Sequence, residues 1–115
     1  MEITVLLSVY NGEKWLKYSI ESILSQSFTN FEFLIINDGS NDSTKKIFEK
    51  YSKIDPRIKL INQSKSGLTA SLNYGVKIAK GKWIARIDCD DIALPERLKR
   101  QYDFATQNNC FLIGC

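Results

Sequence analysis

Five short apolar runs, each separated from the next by a segment of helical spacing, constrain this chain more tightly than any single motif. Ile3 to Val9 is continuous except for Thr4 and Ser8, as a central parallel strand should be. Phe31 to Ile36, Ile58 to Ile61, Trp83-Ile84-Ala85 with Ile87, and Phe111 to Cys115 repeat the signal. Between them, Trp15, Leu16, Ile20, Ile23 and Leu24 keep helical spacing within Glu13–Ser25. Asp42 or Ser43 can cap a second helix carrying Ile47, Phe48 and Tyr51. Leu68, Leu72, Val76 and Ala79 predict a third, and Pro95 opens a fourth through Leu98, Tyr102 and Ala105. The alternation predicts an α/β chain, an open and mostly parallel sheet with helices on both faces. At 115 residues it forms one domain, spanning residues 1–115.

Sheets of this kind bind ligands at the carboxyl ends of their strands. The first four strands each run into a polar segment: Ser8-Val9-Tyr10-Asn11-Gly12, Asn37-Asp38-Gly39-Ser40, Asn62 to Gly67, and Asp88-Cys89-Asp90-Asp91. All four therefore gather along one rim, which argues for a binding site there.

Composition narrows the chemistry. The chain has no histidine, which removes imidazole acid–base catalysis, Ser-His and Cys-His nucleophile pairs and histidine metal sites. Cys89, Cys110 and Cys115 are odd in number and lack paired spacing, so neither a disulfide framework nor a zinc site is indicated. The net charge of +3 comes from 16 basic and 13 acidic side chains, scattered rather than striped, and implies no nucleic-acid partner. No two glycines sit two apart and no loop ends in Gly-Lys-Ser or Gly-Lys-Thr, so the dinucleotide and phosphate-loop fingerprints are missing. No apolar run approaches the ~20 residues of a membrane span, and no basic leader precedes the first strand, so a cytoplasmic protein is expected.

The acidic cluster is the most chemical feature of the rim. In extended chain, residues two apart point the same way, so Asp88 and Asp90 would face one site together. Carboxylates held that close favour a cation between them, and a hard divalent ion such as Mg²⁺ or Mn²⁺, shared with substrate phosphates, is its natural type. An acidic turn in water is the plainer alternative. Asp91 faces away and orients the following loop, and Cys89 reads as a small apolar filler. Asp38 can accept a hydrogen bond from the ring N–H of a base, or serve as a turn residue or a remote helix cap. Tyr10 can stack on a base or cover the edge of the core. Asn11-Gly12 can be simply the turn into the first helix, and Lys65 a solvated lysine or a phosphate contact.

In order and spacing these segments resemble the N-terminal half of the inverting family 2 glycosyltransferases, which have the GT-A fold and use nucleotide-sugar donors. The resemblance covers essentially the whole chain. It rests on Ser8 to Gly12, Ser22-Ile23-Leu24-Ser25-Gln26-Ser27-Phe28, Ile36 to Ser43, Asp55-Pro56-Arg57-Ile58, Gly67 to Asn73, Ala79-Lys80-Gly81, and Asp88 to Asp91 followed by Pro95. It implies that Ser8, Tyr10, Asn11, Asp38 and Asp88 bind the donor nucleotide, with Asp38 on uracil if the donor is a UDP-sugar. Asp88 and Asp90 would be the family's DXD pair, Asp88 near the ribose and diphosphate and Asp90 as the direct ligand of Mn²⁺ or Mg²⁺. Two departures stand out: Asn37 where many members have Asp, and Leu72 where many have Arg, which leaves Lys65 and Arg86 as nearby cations.

The same resemblance places the catalytic base beyond Cys115, in a later half with the acceptor site. The chain is thus expected to be the N-terminal part of a longer glycosyltransferase, acting on a glycan or a lipid-linked acceptor. Peripheral association of that longer protein with the cytoplasmic face of a membrane is part of the same expectation. So is oligomerisation through an exposed edge at the fifth strand. A non-catalytic nucleotide-sugar-binding module and a nucleotidyltransferase are the competing readings.

Overall fold

In a computed structural model, which describes residues 2–108 and 112–113, the alternation becomes a single parallel sheet. The elements in chain order are β1 (Ile3–Val9), α1 (Leu16–Leu24), β2 (Phe31–Asp38), α2 (Thr44–Ile54) and β3 (Ile58–Gln63). They are followed by α3 (Leu68–Ile78), β4 (Trp83–Ile87), α4 (Arg97–Asn108) and the two-residue β5 (Leu112–Ile113). The strand order is β3-β2-β1-β4-β5, so the order reverses beside β1. That reversal opens a crevice between the carboxyl ends of β1 and β4. The other residues of the expected fifth strand, Phe111, Gly114 and Cys115, lie outside the described residues, as does Cys110.

Alternation of side chains along the strands divides the core into two layers. Ile3, Val5, Leu7 and Val9 of β1 pack with Phe31, Phe33 and Ile35 of β2 against Leu16, Ile20 and Ile23 of α1, Phe48 of α2 and Leu98 of α4. Leu6, Leu34 and Ile36 face the other way, against Leu72 and Ile78 of α3. Helices therefore cover both faces, as expected. β1 and β2 are almost wholly buried, which accounts for their unbroken apolar sequence.

Two details differ from the sequence reading. The third helix forms, but only Leu72 of the expected stripe packs on the core: Leu68 is 53% and Val76 47% exposed, whereas Ser71 and Gly75 are buried. Small residues let α3 lie close on β1. A Cβ at Gly75 would stand 2.4 Å from Leu6 Cδ1, a contact that hydrophobic periodicity cannot register. Similarly, β2 and β3 each run two residues beyond their apolar runs, to Asp38 and Gln63. Ladder pairing with their neighbours, Val9 with Asn37 and Asp38 with Gln63, keeps these polar residues in the sheet. Pro95 stands two residues before α4, in the turn that leads into it.

Candidate active site: a nucleotide-binding rim

Asp38 is the best-supported side chain of the rim. It closes β2 on the α3 side of the sheet and is only 3% exposed. Its Oδ1 accepts hydrogen bonds from Gln63 Nε2 (3.0 Å) and the Ser66 amide (2.8 Å), and its Oδ2 from the Gly67 amide (2.9 Å). Gln63 Nε2 also donates to Ser71 Oγ at 2.9 Å. Burial pushes the carboxyl pKa up, but the hydrogen bonds from Gln63, Ser66, Gly67 and Ser71 outweigh it and hold it below the ordinary value. Gly67 is the cap residue of α3, so Asp38 holds the two amides just before that helix. These contacts tie the segment that enters α3 to the end of β2, a task akin to the remote helix cap among the readings open in the sequence. A carboxylate offers about four acceptor positions, of which three are taken here. Gln63 and Ser71, which hold Asp38, carried no distinguishing signal in the sequence.

The segment after β3 is held down at a second point. Gly39 has φ of +74°, and a Cβ there would lie 2.6 Å from the backbone nitrogen of Lys65. Gly39→Ala should therefore cost about 2 kcal/mol, from left-handed backbone strain and a clash that no side-chain rotation relieves. Urea unfolding is the measurement; a loss below ~0.5 kcal/mol would show that the contact is slack.

Tyr10 follows β1 and is 40% exposed, with Lys65 Nζ 3.8 Å from its ring centroid. Asn11 adopts φ of +52° and ties two loops together: its amide donates to Ser40 Oγ, and its Oδ1 accepts from the Asn41 amide, both at 2.9 Å. The Gly12 amide reaches Thr44 Oγ1 and the Ser43 amide reaches Glu13 Oε2. Asp42 accepts the Thr44 amide at 2.9 Å, so of the two expected caps of α2 it is Asp42 that bonds. Asn11 thus serves the rim by fixing the β1–α1 loop to the β2–α2 loop. Ser8 is half-buried in β1, beside Ile36.

The acidic cluster is a turn rather than extended chain. The Asp91 amide donates to Asp88 O and the Asp88 amide to Asp91 Oδ2, both at 3.0 Å. Asp88 and Asp90 are therefore held at two corners of a closed turn, and the alternation argument for their orientation does not apply. Asp88 Oδ1 lies 3.3 Å from Arg86 Nη2. Asp90 is exposed, and its carboxylate takes no hydrogen bond or ion pair among the described residues. Cys89 packs against the core, and burial, then the nearby Asp90, Asp88 and Asp91, push its thiol pKa up, as befits a filler rather than a nucleophile.

Polar residues of α1 and of the turn just after it brace the acidic turn and the segment that follows. Ser19 Oγ lies 2.5 Å from Cys89 O and 2.7 Å from Asp91 O, and Ser22 Oγ accepts the Ala93 amide. Gln26 Nε2 donates to Leu94 O and its Oε1 accepts the Leu98 amide, while the Ser27 amide donates to Pro95 O. The stretch Ser22 to Phe28, which stood in the sequence only as a family pattern, has this physical task.

The carboxylates of the turn are oxygen donors, which suit a hard divalent cation, while the Cys89 side chain packs against the core. Among the described residues no three His, Cys, Asp or Glu side chains converge to hold a metal. The turn would suit a cation that completed its shell with substrate oxygens and water, and Asp90 is the carboxylate there that has no partner among the described residues.

A parallel sheet whose order reverses beside β1, with its polar loops at one rim, defines an open α/β protein with a ligand crevice at its switch point. The model of glycosyl transferase family 2 matches residues 4–115, and the chain belongs to that family. It is 37% identical over 97% of its length to an O-antigen biosynthesis glycosyltransferase, WbnJ, of Escherichia coli, of which it covers 44%. Its fold is similar to that of S. aureus TarS 1-349 in complex with UDP-GlcNAc, with a TM-score of 0.87 and 29% identity over 95% of this chain and 32% of that one. The mannosyltransferase PcManGT from Pyrobaculum calidifontis, in complex with GDP-Man and Mn²⁺, shares the fold at a TM-score of 0.84 and 18% identity, over 90% of this chain and 32% of its own. The chain spans 33% of the length of two other curated relatives.

Proposed function

We propose that this chain is the donor-binding part, and the N-terminal domain, of a longer glycosyltransferase that transfers a sugar from a UDP-sugar to a glycan or lipid-linked acceptor. The observation that carries this reading is the rim itself, with a carboxylate, an aromatic ring and an acidic turn gathered at the switch point of the sheet. The 29% identity with a structure that holds UDP-GlcNAc supports the uridine donor, and the O-antigen relative supports a glycan acceptor.

In this reading Tyr10 stacks on the base, and Asp38 takes the ring N–H of uracil at its remaining acceptor position. Because Asp38 is ionised and its other contacts all donate to it, it accepts and does not donate, which favours bases with a ring N–H. Asn11 keeps the Tyr10 loop in place, and Ser8 lines the floor. Asp88, turned toward the ribose and diphosphate, keeps Arg86 beside it, while Asp90 holds the divalent cation, Mn²⁺ or Mg²⁺. When bound, that cation supplies Lewis-acid neutralisation of the departing diphosphate. An acceptor hydroxyl attacks the anomeric carbon from the face opposite the diphosphate, so the carbon is inverted in one displacement. The base that takes its proton belongs to the acceptor half of the longer protein. Work at the cytoplasmic face of a membrane follows from a lipid-linked acceptor. Among the described residues no helix is long and apolar enough to cross the bilayer.

Calorimetric titration of the chain with UDP, and with GDP as control, tests the reading in Mn²⁺ and then in excess chelator. UDP should bind more tightly than GDP, and chelation should weaken it at least about tenfold, the equivalent of ~1.4 kcal/mol. No binding of either nucleotide in Mn²⁺ would overturn it.

A further inference from the structure

Lys65 is fixed at its backbone and free only along its stem. Its nitrogen packs on Gly39, and the next residue, Ser66, donates its amide to Asp38. Its ammonium lies 3.8 Å from the centroid of the Tyr10 ring. A base stacking on Tyr10 has to share the accessible part of that ring with the ammonium or displace it. An exposed cation–π contact is the weaker of the two competitors, because base stacking also removes apolar surface from water. A lysine stem can swing its charge several ångströms with no change in the loop.

The other charges of the rim indicate where the ammonium goes. Arg86 is already engaged with Asp88, and Leu72 of α3 packs against the core and brings no charge. The incoming donor carries its own strong anion, the diphosphate. We propose that Lys65 is a displaceable cover on Tyr10 which, when the base takes the ring, moves to the donor diphosphate and supplies positive charge there. This rests on the nucleotide-binding reading above and deepens it. Lys65 exchanges one partner for another, so its removal acts with opposite sign on two ligands.

Uridine and UDP distinguish the two contacts. Ligand-observed NMR titrations of the whole chain in Mn²⁺, with and without Lys65→Met, measure both. The variant should bind UDP about tenfold more weakly, since a hydrogen bond between charged groups is lost. It should bind uridine about threefold more tightly, since the ring is uncovered. Lys65→Arg should keep UDP affinity within about twofold, and thermal melting should show all three proteins equally folded. If both ligands weaken together, Lys65 contacts the base or shapes the loop, and the proposal fails. Unchanged affinities for both would likewise overturn it. Should the unaltered chain bind neither ligand, the nucleotide-binding reading fails first and this one with it.

Discussion

Asp38→Ala should destabilise the chain by about 3 kcal/mol, measured by urea unfolding at neutral pH, before any ligand is considered. The substitution strands the amides of Ser66 and Gly67 and the Gln63 side chain, all of which now donate to one buried carboxylate. Each buried donor left unsatisfied costs about 1–3 kcal/mol, partly relieved where water enters. UDP binding should fall as well, even in chelator, since the loop carrying Lys65 loses its anchor. Asp38→Asn separates charge from shape, because an amide still accepts with one oxygen. The folded pKa of Asp38 lies below the ordinary value of 3.8, so its contribution is complete above that value and is lost as pH falls through the folded pKa. The stability of Asp38→Asn should accordingly decline less steeply with acidification than that of the parent. Parallel acid-unfolding curves for the two proteins would show that the charge is not what the fold uses.

Asp90→Ala should have the opposite profile, with the fold untouched and metal-dependent binding gone. The side chain is exposed and unbonded among the described residues, so its truncation should change stability by less than ~0.5 kcal/mol. Metal-dependent UDP affinity should drop about 100-fold, to the level the parent shows in chelator, because a cation that binds through few protein ligands tolerates the loss of none. Asp88→Ala should be milder in metal and broader in effect, since it also releases Arg86. An Asp90→Ala protein that still gains UDP affinity on adding Mn²⁺ would remove Asp90 from the metal site.

Much of this was legible in the sequence because it is written in period and punctuation. The central strands had to be buried on both faces, and β1 runs from Ile3 to Val9 as read. The four polar segments gather at one rim because parallel strands allow nothing else. Contacts that run through backbone atoms were not legible. Asp38 read equally well as a base contact, a turn or a cap, because its partners are two amides nearly thirty residues away. The geometry of Asp88 and Asp90 was misjudged for a related reason: Asp91 closes a turn on Asp88, which spacing cannot distinguish from a continuing strand. The α3 face was obscured by Gly75, whose lack of a side chain is what allows the helix to approach.

The bracing of residues 89–98 by α1 and the residues just after it has a consequence for how such a protein can diversify. Ser19, Ser22, Gln26 and Ser27 hold that segment mainly through its carbonyls and amides, which every amino acid possesses. The path of the chain beside the acidic turn is therefore set from outside the segment. Ile92 and Leu94, both pointing outward, can be exchanged without disturbing the carboxylates next to them. The work is split accordingly, with the path of the chain set about seventy residues upstream and the outward surface free to vary without moving the acidic turn.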